Sequence, residues 1–350
     1  MDFKKLHNYI KEHNLPAYRE KQIRRAFFVD LNKNWDEITV LPKETREGLK
    51  KEISWDSITP VKIAGEGRDA EKVVFEMEDG TVMESVLIKH SDGRRTVCVS
   101  SQIGCPLACA FCATGEIGFK RNLEPREIAE QVIYFARMLK NQGSGGKSSL
   151  PPFYKGGDKV TNVVFMGMGE PFLNYENVIR AIKILNDKDG FNLGARHISI
   201  STCGIVPGIK KMAKEKMQIN LALSLHAASE ELRSEIMPVN KKYGVKQIFQ
   251  AIDYYIKETN RRVMIEYLLI DKINDSEDSA KKLAELIRSR PLCYVNLIPY
   301  NETGEFRSST REQMKIFTEI LDENKVKYTI RRSFGRSIAG ACGQLAGGGS

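Results

Sequence analysis

The chain of 350 residues contains no run of about 18 apolar residues, the length a helix needs to cross a bilayer, so no membrane span is expected. No apolar stretch stands behind the charges of Met1-Asp-Phe-Lys-Lys-Leu6, which argues against a secretory leader. Cysteine is sparse and odd in number, at seven. That density suits a reducing compartment rather than a disulfide scaffold, and the cytoplasm is the expected location. Internal repeats are absent beyond an alternation of strand and helix patterns. A phosphate loop is excluded as well: Gly143-Ser-Gly-Gly-Lys-Ser148 runs into Leu150-Pro-Pro152, where a P-loop would open a helix after a buried strand.

What the chain does carry is a positive balance, +9 with pI near 9.0, which points to a polyanionic partner, nucleic acid ahead of membrane. Its length allows one large domain and a smaller appendage. Residues 1–55 read as a helical N-terminal domain, from the helical spacing of Phe3, Leu6 and Ile10, then of Ile23, Ala26 and Phe27. A third helix begins near Leu41-Pro42, with the proline in its first turn. Arg19, Lys21, Arg24 and Arg25 on the second helix form either a solvated face or a contact for RNA phosphates.

From Ile58 the period becomes two. Residues 56–97 form a β-hairpin extension, with strands at 72–78 and 81–88 around Asp79-Gly80, a strong hairpin signal. On these strands Glu84 is a strand-face carboxylate and Cys98 a small buried hydrophobe. Residues 98–334 then alternate strands and helices, which implies right-handed βαβ units and a parallel sheet. About six units are visible, fitting either an open barrel or a doubly wound sheet, with sites at the strand C-termini in both cases. A segment rich in Gly, Ser, Pro and Lys at 141–159 reads as a surface insertion. Residues 335–350 form a C-terminal loop carrying Cys342.

Chemistry concentrates in Cys105, Cys109 and Cys112, spaced C-x3-C-x2-C on a glycine-bounded loop. Thiolates at that spacing suit a soft metal: an iron–sulfur cluster, zinc or copper(I). A four-iron cubane wants four ligands, so three thiolates leave one iron open to a substrate or cofactor. A structural zinc closes its shell with four ligands, and Cys98, Cys203, Cys293 or Cys342 would then supply the fourth. Further clusters fall at successive strand ends: Gly167-Met-Gly-Glu-Pro171, Ser201-Thr-Cys-Gly204, Ser224-Leu-His226 and Asn301. Any one of them alone is ordinary loop chemistry, and His226 alone reads as a hydrogen-bonded structural histidine. Together they can line one cavity, where glycines let the backbone approach a ligand.

The cysteine loop resembles that of radical S-adenosylmethionine (SAM) enzymes, and Gly167-Met-Gly-Glu-Pro171 resembles their motif for the methionyl amine. A narrower resemblance, to the radical SAM RNA adenine methyltransferases of the RlmN/Cfr family, rests on five motifs. These are Cys98-Val-Ser-Ser-Gln-Ile-Gly-Cys105, Phe165-Met-Gly-Met-Gly-Glu-Pro171, Ser224-Leu-His226, Asn296-Leu-Ile-Pro-Tyr-Asn301 and Ala341-Cys-Gly-Gln-Leu345. The resemblance implies a partial (βα)6 TIM-like barrel with a helical N-terminal domain. It implies that Cys105, Cys109 and Cys112 hold a [4Fe–4S] cluster whose open iron binds SAM. Gly169, Glu170, Ser201, Ser224, Leu225, His226 and Asn301 would form the SAM pocket.

The same resemblance makes Cys342 the cysteine that first receives a methyl from one SAM, while a second SAM yields a 5′-deoxyadenosyl radical that activates that methyl. Glu84 would be the proton acceptor and Cys98 the thiol that resolves the adduct through a transient disulfide with Cys342. The implied partners are 23S rRNA and tRNA and a one-electron donor such as flavodoxin or ferredoxin, with the protein a monomer. Glu170-Pro171 and Ile265-Glu-Tyr-Leu-Leu-Ile-Asp271 resemble the group that methylates adenine C2. The alternatives are C8 methylation of the same rRNA adenosine, a radical SAM enzyme acting on a peptide or small molecule, and a non-enzymatic zinc-containing RNA-binding protein. Arg331, Arg332 and Arg336 read as phosphate contacts or as surface charges.

Overall fold

The architecture changes where the periodicity does, at Ile58. In the computed structural model, which describes residues 1–144, 159–304, 306–331 and 334–346, the chain opens with helices α1 (Phe3–Glu12), α2 (Tyr18–Phe28) and α3 (Lys43–Glu52). Asp2 caps α1 by accepting from the amides of Lys4 and Lys5, donors that the first turn leaves without partners. Pro42 stands one place earlier than its expected first-turn position, as the extended residue just outside α3. Leu6, Ile23, Phe27, Trp35 and Trp55 close a core between these helices that is separate from the main one.

An antiparallel meander follows: β1 (Ile58–Ala64), β2 (Ala70–Met77), β3 (Val82–Lys89) and β4 (Arg95–Cys98). Gly80 turns the β2–β3 hairpin at φ +74°, a conformation that favours glycine. The register sets Lys72 opposite Val86, and Val86 opposite Cys98. Opposed residues share a face, and so do alternate residues along a strand. Lys72, Glu84 and Cys98 therefore project from the same side of the sheet.

Beyond β4 the cysteine loop is bounded by two-residue strands, β5 (Gln102–Ile103) and β6 (Arg121–Asn122), with the short helix α4 (Ala113–Glu116) between them. The barrel continues through α5 (Pro125–Ser144), β7 (Asn162–Phe165), α6 (Tyr175–Asn186), β8 (Ile198–Thr202), α7 (Val206–Met212), β9 (Asn220–Ser224), α8 (Glu230–Ile236) and α9 (Val245–Thr259). It ends with β10 (Val263–Leu269), α10 (Glu277–Arg288), β11 (Cys293–Pro299), α11 (Arg311–Glu323) and β12 (Tyr328–Ile330). From β4 onward the sheet strands are parallel and stand in chain order. A doubly wound sheet reverses that order at a switch point; this one does not, so it is the open barrel. The predicted insertion lies outside the described residues apart from its ends, and Gly347–Ser350 lies outside them too.

The helical bundle docks on α5. Ile133 is fully buried in the bundle's core, Ser57 donates to Glu130 from its amide and its hydroxyl (2.6 and 2.8 Å), and Arg137 grips both carboxylate oxygens of Asp56 at 2.8 Å. Arg137 also lies over the Phe27 ring at 4.8 Å, a cation–π contact. Ile133→Ala should lower the unfolding free energy by roughly 2–5 kcal/mol, with denaturant melts showing exposure of Trp35 and Trp55 as the bundle loosens.

Candidate active site

The cysteine loop is held at its base before any cofactor is considered. The Ser100 amide donates to Gln131 Oε1 (2.8 Å) and Gln131 Nε2 returns a bond to the Ser100 carbonyl (3.0 Å). Asn174 Nδ2 donates to the carbonyls of Ser101 (2.7 Å) and Leu123 (2.8 Å), one at each end of the loop. Both amides are buried, so these bonds are made away from water and fix the loop's exit angle. Neither residue was singled out from sequence. A polar Gln131 between the core residues Ile128 and Phe135 was the available signal.

Cys105, Cys109 and Cys112 line one cavity together with Gly169, Glu170, Ser201, Ser224, His226, Glu266, Arg331 and Cys342. The strand ends of β4, β7, β8 and β9 thus converge as expected. Burial pushes the Cys105 thiol up to about 12 and the Cys109 and Cys112 thiols also upward, and Cys112 and Cys105 add repulsion at Cys109. Glu170 is buried, its Oε1 accepting from the Phe172 amide (3.0 Å) and its Oε2 from that of Cys203 (2.9 Å). Burial raises its pKa. Ser201 and Ser224 share a hydrogen bond at 3.0 Å.

His226 is both of the things the sequence allowed. Its Nδ1 accepts from the Leu268 amide (3.1 Å), which leaves the proton on Nε2; the ring meets Phe111 edge-on at 4.8 Å and also lines the cavity. Burial first, and the charge of Arg233 second, depress its pKa to about 3. Arg233, which sequence reasoning passed over as a helical residue, is fully buried. It donates to the carbonyls of Leu225 (3.0 Å), Cys203 (2.6 Å) and Ser224 (3.2 Å) and to Asn240 Oδ1 (2.8 Å). It ties the ends of β8 and β9 together.

Several expected site residues sit differently. The Leu225 side chain is buried in the core. Asn301 lines a second, adjoining cavity with Cys98 and Cys342 and donates to the Cys342 carbonyl (3.3 Å). Glu84 is buried and lines neither of these two cavities. Gly167 and Gly169 line the first cavity and are also packed closely by the protein: a Cβ on Gly169 would lie 2.5 Å from Gln102 Cβ, and one on Gly167 would lie 2.7 Å from the Val99 carbonyl. Arg331 is half-buried and lines both cavities, and nearby Cys342 raises its pKa. Arg336 donates to Asn301 Oδ1 (2.7 Å) and the Tyr300 carbonyl (3.3 Å), and Arg332 lies outside the described residues.

Cys342 borders both cavities. Its loop is seated on the cysteine loop, with the Ala113 amide donating to the Gly343 carbonyl (2.9 Å) and Thr114 Oγ1 to that of Leu345 (2.7 Å). Cys98 is buried in the second cavity, and burial pushes its thiol up to about 12.

Residues 99–284 match the model of the radical SAM superfamily. The chain is 42% identical over 332 residues, 94% of its length and 90% of the relative's, to a probable dual-specificity RNA methyltransferase RlmN of Dictyoglomus thermophilum. It is likewise 42% identical to a probable dual-specificity RNA methyltransferase RlmN of Chloroflexus aurantiacus, over 95% and 88% of the two chains. The crystal structure of a radical SAM methyltransferase from Sphaerobacter thermophilus superposes with a TM-score of 0.89 at 40% identity, covering 99% of this chain and 97% of that one. The chain belongs to the RlmN family.

Membership of the RlmN family implies a [4Fe–4S] cluster and SAM, and the residues present fit both. Among the described residues no three His, Cys, Asp or Glu side chains converge on a single-ion position. The three loop thiols nevertheless sense one another electrostatically and share one cavity, as suits a cluster that spreads its ligands around several irons. Of the candidate fourth ligands for zinc, Cys203 is hydrogen-bonded to Glu170, and Cys293 begins β11, at the strand end opposite the cavity. The polar rim of Ser201, Ser224 and the His226 Nε2–H suits the hydroxyls and amines of a nucleoside.

A folded-state histidine pKa of about 3 against the ordinary 6.5 means that the unfolded chain binds more protons between those values. Stability should fall as pH drops from about 6.5 toward 3, by up to about 1.4 kcal/mol per pH unit from this residue. His226→Gln should flatten that part of a denaturation-versus-pH profile.

Proposed function

We propose that the chain methylates C2 of adenosine in 23S rRNA and in tRNA, with Cys342 as the methyl carrier. The observation that carries this reading is the position of Cys342, bordering both the cavity of the three loop thiols and the cavity of Cys98. An amidine carbon of adenine is not nucleophilic, so direct displacement on SAM cannot methylate it; the methyl must first rest on a group that can take it. The Cys342 thiolate is such a nucleophile. The cluster and SAM, when bound, supply one-electron chemistry able to remove hydrogen from a methyl thioether.

Cys105, Cys109 and Cys112 hold the cluster. Gly169, Glu170, Ser201, Ser224 and His226 orient SAM, His226 as a neutral Nε2–H donor, while the backbone at Leu225 and the side chain of Asn301 shape the pocket edge. Cys342 then presents its carbon to an adenine drawn out of its stack, as enzymes acting on bases generally require. Glu84 accepts the ring proton as the adduct also gives up one electron. The Cys98 sulfur then bonds to that of Cys342 as the C–S bond breaks, a proton completes the product methyl, and an external dithiol reductant would reopen the disulfide for the next turnover.

Support for an RNA substrate comes from the relatives, named probable dual-specificity RNA methyltransferases; C2 rests on the resemblance of Glu170-Pro171 and residues 265–271 to the C2 group. The net charge of +9 favours a polyanionic substrate. Turnover requires a one-electron donor such as flavodoxin or ferredoxin, and the protein is read as a monomer. All seven cysteines are free and no helix among the described residues is long and apolar enough to cross a membrane, features that agree with a cytoplasmic site.

Deleting the protein should remove 2-methyladenosine from rRNA and tRNA hydrolysates by mass spectrometry. Loss of 8-methyladenosine with 2-methyladenosine intact would overturn the C2 reading. Cys342→Ala should abolish methyl transfer while iron content and SAM binding stay at the wild-type level; full turnover by that variant excludes Cys342 as carrier.

A further inference from the structure

We propose that Lys72 is a positioning residue for Cys342: with Glu84 it forms a buried ionic clamp that grips the carrier loop on both sides of the cysteine. The inference rests on the reading of Cys342 as methyl carrier for its purpose, though not for its geometry. Lys72 Nζ lies 3.2 Å from Glu84 Oε1, and the side chains are 6% and 1% exposed. The same ammonium donates to the Ala339 carbonyl (3.2 Å), three residues before Cys342. The other carboxylate oxygen, Glu84 Oε2, accepts from the Ala346 amide (3.0 Å), four residues after it.

Register explains how two residues from a hairpin reach a loop more than 260 positions away in sequence. Lys72 pairs across to Val86, which pairs across to Cys98, and Glu84 stands two residues from Val86 on the same strand. Pleating points Lys72, Glu84 and Cys98 to one face. The C-terminal segment covers that face: a Cβ on Gly335 would lie 3.2 Å from the Ala70 methyl, and Arg68 donates to Ser337 Oγ (3.3 Å).

Burying an ammonium and a carboxylate is unfavourable unless each is paired and its remaining hydrogen-bonding capacity is used. An apolar pair would serve the hairpin as well. What distinguishes this pair is that the carrier loop supplies a partner to each member. Unseating the loop therefore leaves a buried charge short of a bond at each end. The contacts of Gly343 and Leu345 with the cysteine loop set where the carrier rests; the Lys72–Glu84 pair sets how firmly its two flanks are held.

The test uses the full chain with its cluster reconstituted. Lys72→Met alone strands a buried carboxylate and risks misfolding, so the informative variant is Lys72→Met/Glu84→Gln, which removes both charges and keeps their bulk. Peptide-resolved hydrogen exchange over residues 339–346 and the rate of Cys342 alkylation by iodoacetamide should both rise about tenfold or more, as expected when local opening is made easier. Iron content and the affinity for SAM should not change. Methyl transfer from SAM to Cys342 should slow in its maximal single-turnover rate with half-saturation by SAM preserved, and Lys72→Arg alone, with Glu84 intact, should keep much of the rate. A double variant that binds cluster and SAM yet exchanges and alkylates at wild-type rates overturns the clamp. The functional reading fails separately: wild-type protein that acquires no methyl on Cys342 from SAM refutes the carrier role and leaves the exchange comparison standing.

Discussion

Parallel strands laid in chain order impose the constraint on which the rest depends. Because β4 and β7 through β12 all run the same way without a reversal, every strand delivers its following loop to one rim. The cysteine loop, the 167–171 turn, Ser201 and the Ser224–His226 pair meet there for that reason, although they come from four separate strand ends. The antiparallel meander that precedes the barrel extends the same sheet, so its face is continuous with the barrel's. That continuity gives the C-terminal segment a floor to lie on and carries Cys342 back to the first parallel strand.

The site is held by polar groups that are almost wholly occupied with one another. Glu170 spends both oxygens on backbone amides, Gln131 closes a two-way pair with Ser100, and Arg233 binds carbonyls from two strand ends. Such networks are costly when a member is missing and stiff when complete. The loop of Cys342, by contrast, belongs to no strand ladder and is secured by side-chain and loop-backbone bonds.

Much of this was legible in the sequence, and the gaps have physical causes. The hairpin, the barrel alternation and the three loop cysteines follow from period, turn chemistry and spacing, signals that are local. The strands β5 and β6 are too short, at two residues each, to show a period. Leu225 was assigned to the pocket by its neighbours, yet alternation turns its side chain into the core. Gly167 and Gly169 do face the cavity, but the close approach of Val99 and Gln102 to them has no sequence signal, since those residues lie more than 60 positions away. Arg331 could not be told from a surface charge, since its half-buried place depends on two cavities that exist only once the chain has closed. Lys72 carried no local signal at all: its partners are Glu84, one hairpin turn away, and Ala339, at the far end of the chain.

The bond between Ala346 and Glu84 also bears on timing. While the loop is seated, one oxygen of the carboxylate assigned to receive the ring proton is already engaged by that amide. That oxygen is released only when the loop leaves its seat, while the other stays paired with Lys72. Displacing the loop of Cys342 and rearranging the bonds of Glu84 are thus one event, because the same amide takes part in both.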